Sequence, residues 1–157
     1  MRKRLITDVK QATSQATEDW LKLEDVAEVE ITSEDSSHPI ESALLPGEGV
    51  GWRAAMPGKQ TIRLLFSPPQ RLRQIRLCFV ETSAPRTQEY VLRWSADGGQ
   101  SFQDIVRQQW NFSPHTASSE TEEHRVELSG VTVLQLIITP DIGNEDAVAS
   151  LAQLRIA

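Results

Sequence analysis

Hydrophobic and polar residues alternate along most of this chain with a period of two. In residues 89–95, Tyr90, Leu92 and Trp94 fall on one face and polar residues occupy much of the other. This is the pattern of a half-buried strand. Residues 97–99, Asp-Gly-Gly, accept the positive φ angles that a hairpin turn requires. A second strand follows, so the segment predicts a β-hairpin.

The same alternation recurs in short segments separated by turn residues, a spacing typical of an all-β sandwich. Aliphatic and aromatic positions such as Ile75, Leu77 and Phe79 mark the faces that we expect to be buried. Two prolines remove backbone donors at 68 and 69, so a loop is predicted at 67–70. Further loops are predicted at 129–130 and 140–146. The predicted strands are residues 28–32, 51–54, 60–66, 74–80, 89–95, 103–110, 124–128, 132–139 and 151–156.

Residues 8–27 follow a helical period instead. Their apolar side chains recur at steps of three and four, and Asp8 is suited to the N-cap. We expect this helix to dock on the following domain through Trp20; packing on a second copy or a partner is the alternative. The chain is thus divided into a helical segment, 1–27, and a β-sandwich, 28–157.

Composition is that of an ordinary soluble globular protein, with 39% hydrophobic and 24% charged residues in a chain of 157. No apolar run approaches the roughly 20 residues that a membrane-spanning helix needs. The basic amino terminus lacks the apolar stretch of a signal peptide. A single cysteine, Cys78, cannot form an internal disulfide and is interpreted as an inert thiol. These features favour a cytoplasmic protein that does not bind membranes.

The net charge of −6 disfavours nucleic acid as a partner, because neutralising phosphates drives most nucleic-acid affinity. Four arginines, Arg63, Arg71, Arg73 and Arg76, crowd one stretch. We interpret them as charges on solvated strand faces, with a local basic patch as the alternative.

Patterns of known catalytic centres are missing from the sequence. The histidines His38, His115 and His124 do not stand at metal-ligand spacing, and no Gly-x-Ser-x-Gly elbow occurs. Glycine-rich residues 47–51 run into a strand-like segment and not into a helix N-terminus, so we interpret them as a turn. The sequence therefore predicts a binding protein without catalytic activity or a cofactor.

Four motifs appear in a characteristic order: a serine-rich loop, Trp52 entering the next strand, a Tyr90 strand that ends in Ser-Ala-Asp-Gly, and the closing strand 151–156. Together they resemble the discoidin-like (coagulation factor 5/8 type C) modules of the galactose-binding-like fold. This resemblance implies an antiparallel jelly-roll β-sandwich that binds a ligand without catalysis, above all a carbohydrate.

Residues 32–45 and 52–62 are also similar to the amino-terminal domain of the X-ray repair cross-complementing scaffold protein. That domain is a non-catalytic β-sandwich whose relatives contact a repair polymerase and damaged DNA. The second resemblance implies a protein-interaction or scaffold role as the alternative function. After Arg86 the chain follows the discoidin pattern instead, so polymerase-contact positions cannot be transferred.

Many discoidin-like modules hold a structural calcium ion through loop carbonyls, an acidic loop residue and an acid on the last strand. Glu48 or Asp35 could supply the loop acid. Gln153, however, stands where the resemblance places the last acid, and a neutral amide is a poorer ligand for a hard cation. We therefore expect no calcium.

Loops between antiparallel strands alternate between the two ends of a sandwich. Residues 33–50, 81–88 and 111–122 should therefore gather at one end, the end that takes the ligand in discoidin-like modules. Trp110 and Phe112 could stack on a ligand there or pack in the core, where we also expect Trp52 and Trp94. The partner is a carbohydrate or a protein. The predicted ligand-binding residues are Ser36, Ser37, His38, Arg86, Trp110, Asn111 and His115.

Overall fold

A computed structural model describes residues 19–47, 49–115 and 118–157 of the chain. Strands dominate this part, and both of its helices are single turns. The helices are α1 (Leu23–Val26) and α2 (Glu41–Leu44). The strands are β1 (Ala27–Ile31), β2 (Trp52–Arg53), β3 (Gln60–Val80), β4 (Arg86–Ser95), β5 (Gln103–Phe112), β6 (Ser119–Thr139), β7 (Ser150–Leu151) and β8 (Gln153–Ile156).

The strands form two layers, and the long strands β3 and β6 run through both. The large layer has the strand order β1-β3-β6-β4-β5 and uses the first half of β3 and the second half of β6. The small layer joins β8 to the second half of β3, which pairs in turn with the first half of β6. All of these pairs are antiparallel, as the sequence predicts. Strands β2 and β7 form a separate short pair.

Both long strands bend where the layers meet. The β3–β6 register shifts between Leu65 and Gln74, and Gly130 of β6 has a φ of +67°, a conformation that glycine adopts most readily. Residues 67–69 have no partner in the ladder, because their prolines lack N–H donors. The prediction that loops at 67–70 and 129–130 separate strands is therefore wrong. Each segment is a bend within a continuous strand.

The hydrophobic core lies between the layers and confirms the predicted alternation. Inward side chains of β3, including Leu64 from the large layer and Leu77 from the small layer, are fully buried. Trp52 is buried, whereas Trp94 is only partly buried and packs against the core from its margin. The predicted hairpin connects β4 to β5, with positive φ angles at Gly98 and Gly99.

The predicted helix over 8–27 is wrong in the part that the structure describes, and residues 8–18 lie outside that part. Helix α1 is confined to four residues, and Ala27 already belongs to β1. Leu21 donates its N–H to Ile156 O at 2.7 Å, and Ala27 pairs with Phe66. These positions are therefore bound to the sheet and cannot extend a helix. Docking through Trp20 stays a prediction.

No helix in the described ranges is long and apolar enough to cross a membrane.

Candidate ligand-binding site at the loop end

The loops at one end of the sandwich form a connected surface, which we call the loop end. It comprises residues 32–38, 54–59, 81–85, 113–115 and 118, and 140–149, placed there by the strand directions. Backbone hydrogen bonds join neighbouring loops: Glu81 donates to Ser118 O, and Gly58 donates to Ala147 O. The predicted loops 81–88 and 111–122 and the first part of loop 33–50 therefore share one end of the molecule. The second part of loop 33–50 lies along β8 instead, where Arg155 donates to the carbonyls of residues 43–45.

Arg86 is the central fixed group of the loop end. Its Nε lies 2.6 Å from Glu81 Oε1, and its Nη1 donates to Gln88 Oε1 at 3.0 Å and to Pro140 O at 2.8 Å. The guanidinium also lies 4.7 Å from the centre of the Phe112 ring. Only 4% of the Arg86 side chain is exposed. Arg86 is predicted above as a ligand-binding loop residue, but the structure places it in the interior, because these partners enclose it and tie it to both flanking loops.

The pKa of Glu81 shows that the pair is ionised. Burial raises this pKa, but the Ser83 N–H, the Arg86 guanidinium and the Ser83 hydroxyl together lower it by a larger amount. The resulting pKa is about 2. Glu81 therefore keeps its negative charge in the folded protein at all but strongly acidic pH.

Glu81→Gln is expected to destabilise the fold in a pH-dependent way. The carboxyl pKa rises from about 2 in the fold to its ordinary 4.5 in the unfolded chain. Its contribution is therefore complete above pH 4.5 and disappears as the pH falls towards 2. Because Glu81 keeps some solvent contact, we expect about 1–2 kcal/mol at neutral pH. Urea unfolding of both proteins at pH 7, 4 and 2.5 measures this difference; a difference independent of pH would contradict the assigned ion pair.

Aromatic side chains do not form an exposed stacking platform. All tryptophan, tyrosine and phenylalanine residues lie in the described ranges, and none is exposed. Phe112 is buried beneath Arg86. Trp110 is partly buried against the core, and its Nε1 is buried without a hydrogen-bond partner among the described atoms. Of the two alternatives for these aromatics, core packing is the one that the structure supports.

Asn111 is exposed near the end of β5, where it faces Thr87 next to Arg86. His115 is exposed in the loop-end segment that follows β5. Asn111 pairs with Thr87 across β4 and β5, and Thr87 Oγ1 donates to Asn111 Oδ1 at 2.7 Å. Since Trp110 pairs with Gln88 in the same ladder, the structure brings together four of the predicted site residues where β4 begins and β5 ends.

Ser36, Ser37 and His38 form a second group at the other side of the loop end. Asp35 holds this turn, since its carboxylate accepts the Ser37 N–H at 3.2 Å and lies 3.2 Å from His38 Nδ1. Arg53 N–H donates to His38 O, which places the turn beside β2. Loop 140–149 separates the two groups, because it bonds to Arg86 through residue 140 and to Ala54 through residue 149. The predicted residues therefore form two groups and not one.

Exposed hydrophobic side chains mark the loop end, and sequence analysis missed them. Val50, Met56, Val80 and Ile142 are the exposed large hydrophobics of the described residues. Met56 and Ile142 lie in loops of this end and Val80 at the strand terminus that enters it, whereas Val50 lies beside α2 and β7. Single exposed hydrophobics are ordinary, but the concentration of three at one end suggests a contact surface. The available signal was that Val50, Met56 and Ile142 stand beside a glycine or proline, where no strand period would bury them.

Among the described residues, the side chains implied for a calcium site are engaged in other contacts. Asp35 already engages Ser37 and His38, Gln153 pairs with Cys78 in the small layer, and residue 48 lies outside the described part. Across the described ranges, no group of three or more His, Cys, Asp or Glu side chains could hold a metal ion. The expected lack of calcium stays a prediction.

The arginine-rich stretch does not form a compact basic patch. Arg63 lies in the large layer near Glu30, at 3.6 Å. Arg76 lies in the small layer, 3.5 Å from Glu123. Distribution over two layers with carboxylate partners supports the interpretation of solvated strand faces.

Comparisons with known proteins bear on the fold. The sequence matches no protein-family model and no curated protein, but solved structures resemble it. The family 32 carbohydrate-binding module of Clostridium perfringens NanJ, solved with galactose, is 14% identical, with 87% of this chain and 96% of that chain covered and a TM-score of 0.62. A pectin-binding carbohydrate-binding module is 16% identical, with coverage of 83% and 89% and a TM-score of 0.61. CpGH89CBM32-5 from Clostridium perfringens, solved with GalNAc-β-1,3-galactose, is 19% identical, with coverage of 88% and 99% and a TM-score of 0.60.

This chain has the galactose-binding-like fold. The predicted discoidin-like β-sandwich is thereby confirmed. Identities this low show the fold alone, so the ligands of those modules belong to those modules. The similarity to the repair scaffold protein has no counterpart in these structures and remains an interpretation of the sequence.

Proposed function

We propose that this chain is a non-catalytic carbohydrate-binding module whose ligand site is the loop end. One observation carries the proposal: three of the four exposed large hydrophobics of the described residues, Met56, Val80 and Ile142, lie at the same end as the exposed polar side chains of Asn111 and His115. A sugar presents both hydroxyl groups and apolar C–H surface, so a mixed surface of this kind suits it. Solved modules of the same fold that bind sugars support the choice.

The loop end is also rigid enough for recognition. Arg86 fixes loops 81–85 and 140–149 to the start of β4, and Trp52 Nε1 donates to Ser33 O at 3.0 Å, which holds the first loop. Loops placed on a rigid scaffold are where binding residues concentrate.

Binding without catalysis agrees with the roles of the acidic side chains at this end. Glu81 pairs with Arg86, and Asp35 holds the turn that contains His38. Asp141 accepts the N–H groups of Thr87 at 3.3 Å and Gly143 at 3.0 Å. Each of these three carboxylates thus already has a structural partner.

A glycan array followed by calorimetry with the best ligand tests the proposal. The double variant Asn111→Ala with His115→Ala should weaken binding at least about tenfold, which corresponds to roughly 1.4 kcal/mol. Its melting temperature should hardly change, because both side chains are exposed. Gln100→Ala with Gln103→Ala, at the opposite end of the sandwich, is the matched control and should bind like the parent. A blank array, or equal affinity in the loop-end variant, would refute the proposed site.

A protein partner is the second candidate, favoured by the kind of hydrophobic residue exposed. Val50, Met56 and Ile142 are not aromatic, whereas methionine and aliphatic side chains suit adaptable protein contacts. An array on which no glycan is bound, together with a protein partner that no longer binds the double variant Met56→Ser with Ile142→Ser, would favour this second function.

A further inference from the structure

A cleft of about 310 Å³ opens on the outer face of the large layer, away from the core. Val91 of β4 and Ile137 of β6 pair across the sheet and form its floor with Thr139. Strand alternation turns this face to solvent, yet only 7% of Val91 is exposed. Long side chains therefore enclose the floor and make a cleft of it.

Cationic side chains outnumber the carboxylates around this floor. Lys59, Arg93 and Arg107 line the cleft together with Glu89 and Asp104. Three cations against two carboxylates leave one positive charge in excess, although the whole chain carries −6. The outer-face cleft therefore has a local charge opposite to that of the molecule, which favours an anionic group.

The protein holds both arginines in place. Arg107 Nη1 lies 2.7 Å from Glu89 Oε1, and Arg93 Nε lies 3.0 Å from Asp104 Oδ1. The Arg93 guanidinium also lies 5.2 Å from the centre of the Phe102 ring. Because a guanidinium has five N–H donors, these contacts leave donors for a ligand. Groups fixed before binding lose less conformational entropy when the ligand arrives.

The same face continues beyond the cleft. Thr61 of β3 pairs with Ile137, and a second cavity of about 260 Å³ opens beside Thr61, Arg63 and Glu30. Arg63 Nε donates to Gln135 Oε1 at 3.0 Å between the two cavities. A ligand with more than one ring could therefore extend from the cleft across neighbouring strands.

We propose that the outer-face cleft is a second ligand site, separate from the loop end, for an oligosaccharide that contains a uronic acid. The ligand carboxylate meets the excess positive charge of Lys59, Arg93 and Arg107, and a sugar ring covers the aliphatic floor. A volume at the lower end of the range for ligand pockets, roughly 300–1,000 Å³, suits one ring at a time. The saccharide class rests on the proposed function, whereas the anionic group follows from the cleft itself.

Titration of ¹⁵N-labelled protein with trigalacturonic acid tests this site. Chemical-shift changes are expected at the amides of Val91, Arg93 and Ile137. Lys59→Gln and Arg107→Gln should each raise the Kd about tenfold, since each removes a charged donor. Arg71→Gln removes the same charge from an exposed pair with Glu127 and should leave the Kd within about twofold.

Fully methyl-esterified trigalacturonate is the neutral comparison ligand and should leave the cleft amides unshifted. Equal binding of acid and ester, unchanged affinity in both cleft variants, or shifts confined to the loop end would overturn the second site. Neutral sugars that bind through Asn111 while trigalacturonic acid does not bind would overturn this inference alone. If no saccharide binds, the proposed function fails as well.

Discussion

Arg86→Ala is expected to lower the free energy of unfolding by about 3–5 kcal/mol, because it breaks a buried ion pair and leaves its partners in place. Glu81 loses its counter-ion with only 15% of its side chain exposed. The carbonyl of Pro140 and the amide oxygen of Gln88 lose their donor, and the Phe112 ring loses its cover. For a chain of this length, the melting temperature should fall by roughly 6–20 °C.

Arg93→Ala is the matched control for this variant. Arg93 forms a 3.0 Å ion pair with Asp104, but 35% of the Arg93 side chain and 64% of the Asp104 side chain are exposed, so the cost should be about 0–1 kcal/mol. Replacing both members of the buried pair, with Arg86→Met and Glu81→Met, should recover part of the lost stability because no unpaired charge remains. Urea unfolding measures all three variants. If Arg86→Ala is as stable as Arg93→Ala, the assigned role of Arg86 is wrong.

Trp52→Ala should cost a similar amount, about 3–5 kcal/mol, as expected for truncation of a large buried aromatic. Its side chain is 1% exposed in the core beneath the first loop. Its Nε1 also donates to Ser33 O, so the variant leaves a cavity and an unpaired carbonyl. Denaturant unfolding should show an earlier midpoint with an unchanged slope.

Two further substitutions separate the parts of this effect. Trp52→Phe keeps an aromatic ring in the core but removes the hydrogen bond to Ser33 O. Its loss of stability should therefore exceed the loss expected from the smaller side chain by about 1 kcal/mol. Trp94→Ala should be milder than Trp52→Ala, because Trp94 lies at the margin of the core. Equal losses at Trp52 and Trp94 would contradict this distinction.

The strands could be predicted because their signal is local. Alternation at Tyr90 and Leu92 reports one buried face, and both side chains are in the core. Antiparallel pairing then places successive loops at alternate ends, which is why the shared loop end followed from the strand order. The bends at residues 67–69 and at Gly130 could not be predicted. A sequence shows that proline lacks an N–H donor, but it does not show whether the strand ends there or bends and continues.

The burial of Arg86 and its hydrogen-bond partners could not be predicted, because residues far away in the chain determine them. Its acceptor at Pro140 lies 54 positions away in the chain, and no local pattern indicates that the two meet. The division of the candidate residues has the same origin, since Asp35 and Arg53 hold His38 on another side of the loop end. The outer-face cleft was missed because its charges come from separate strands and from Lys59.

The two long strands have a consequence for how the loops are held. β3 and β6, each of 21 residues, form one two-stranded ribbon folded over on itself. Both strands begin and finish at the same pole, so all four ends of the ribbon emerge there. Segments 54–59, 81–85, 113–115 with 118, and 140–149 are thus anchored to a single hydrogen-bonded strip, and the main-chain geometry of that strip sets the spacing of their anchor points.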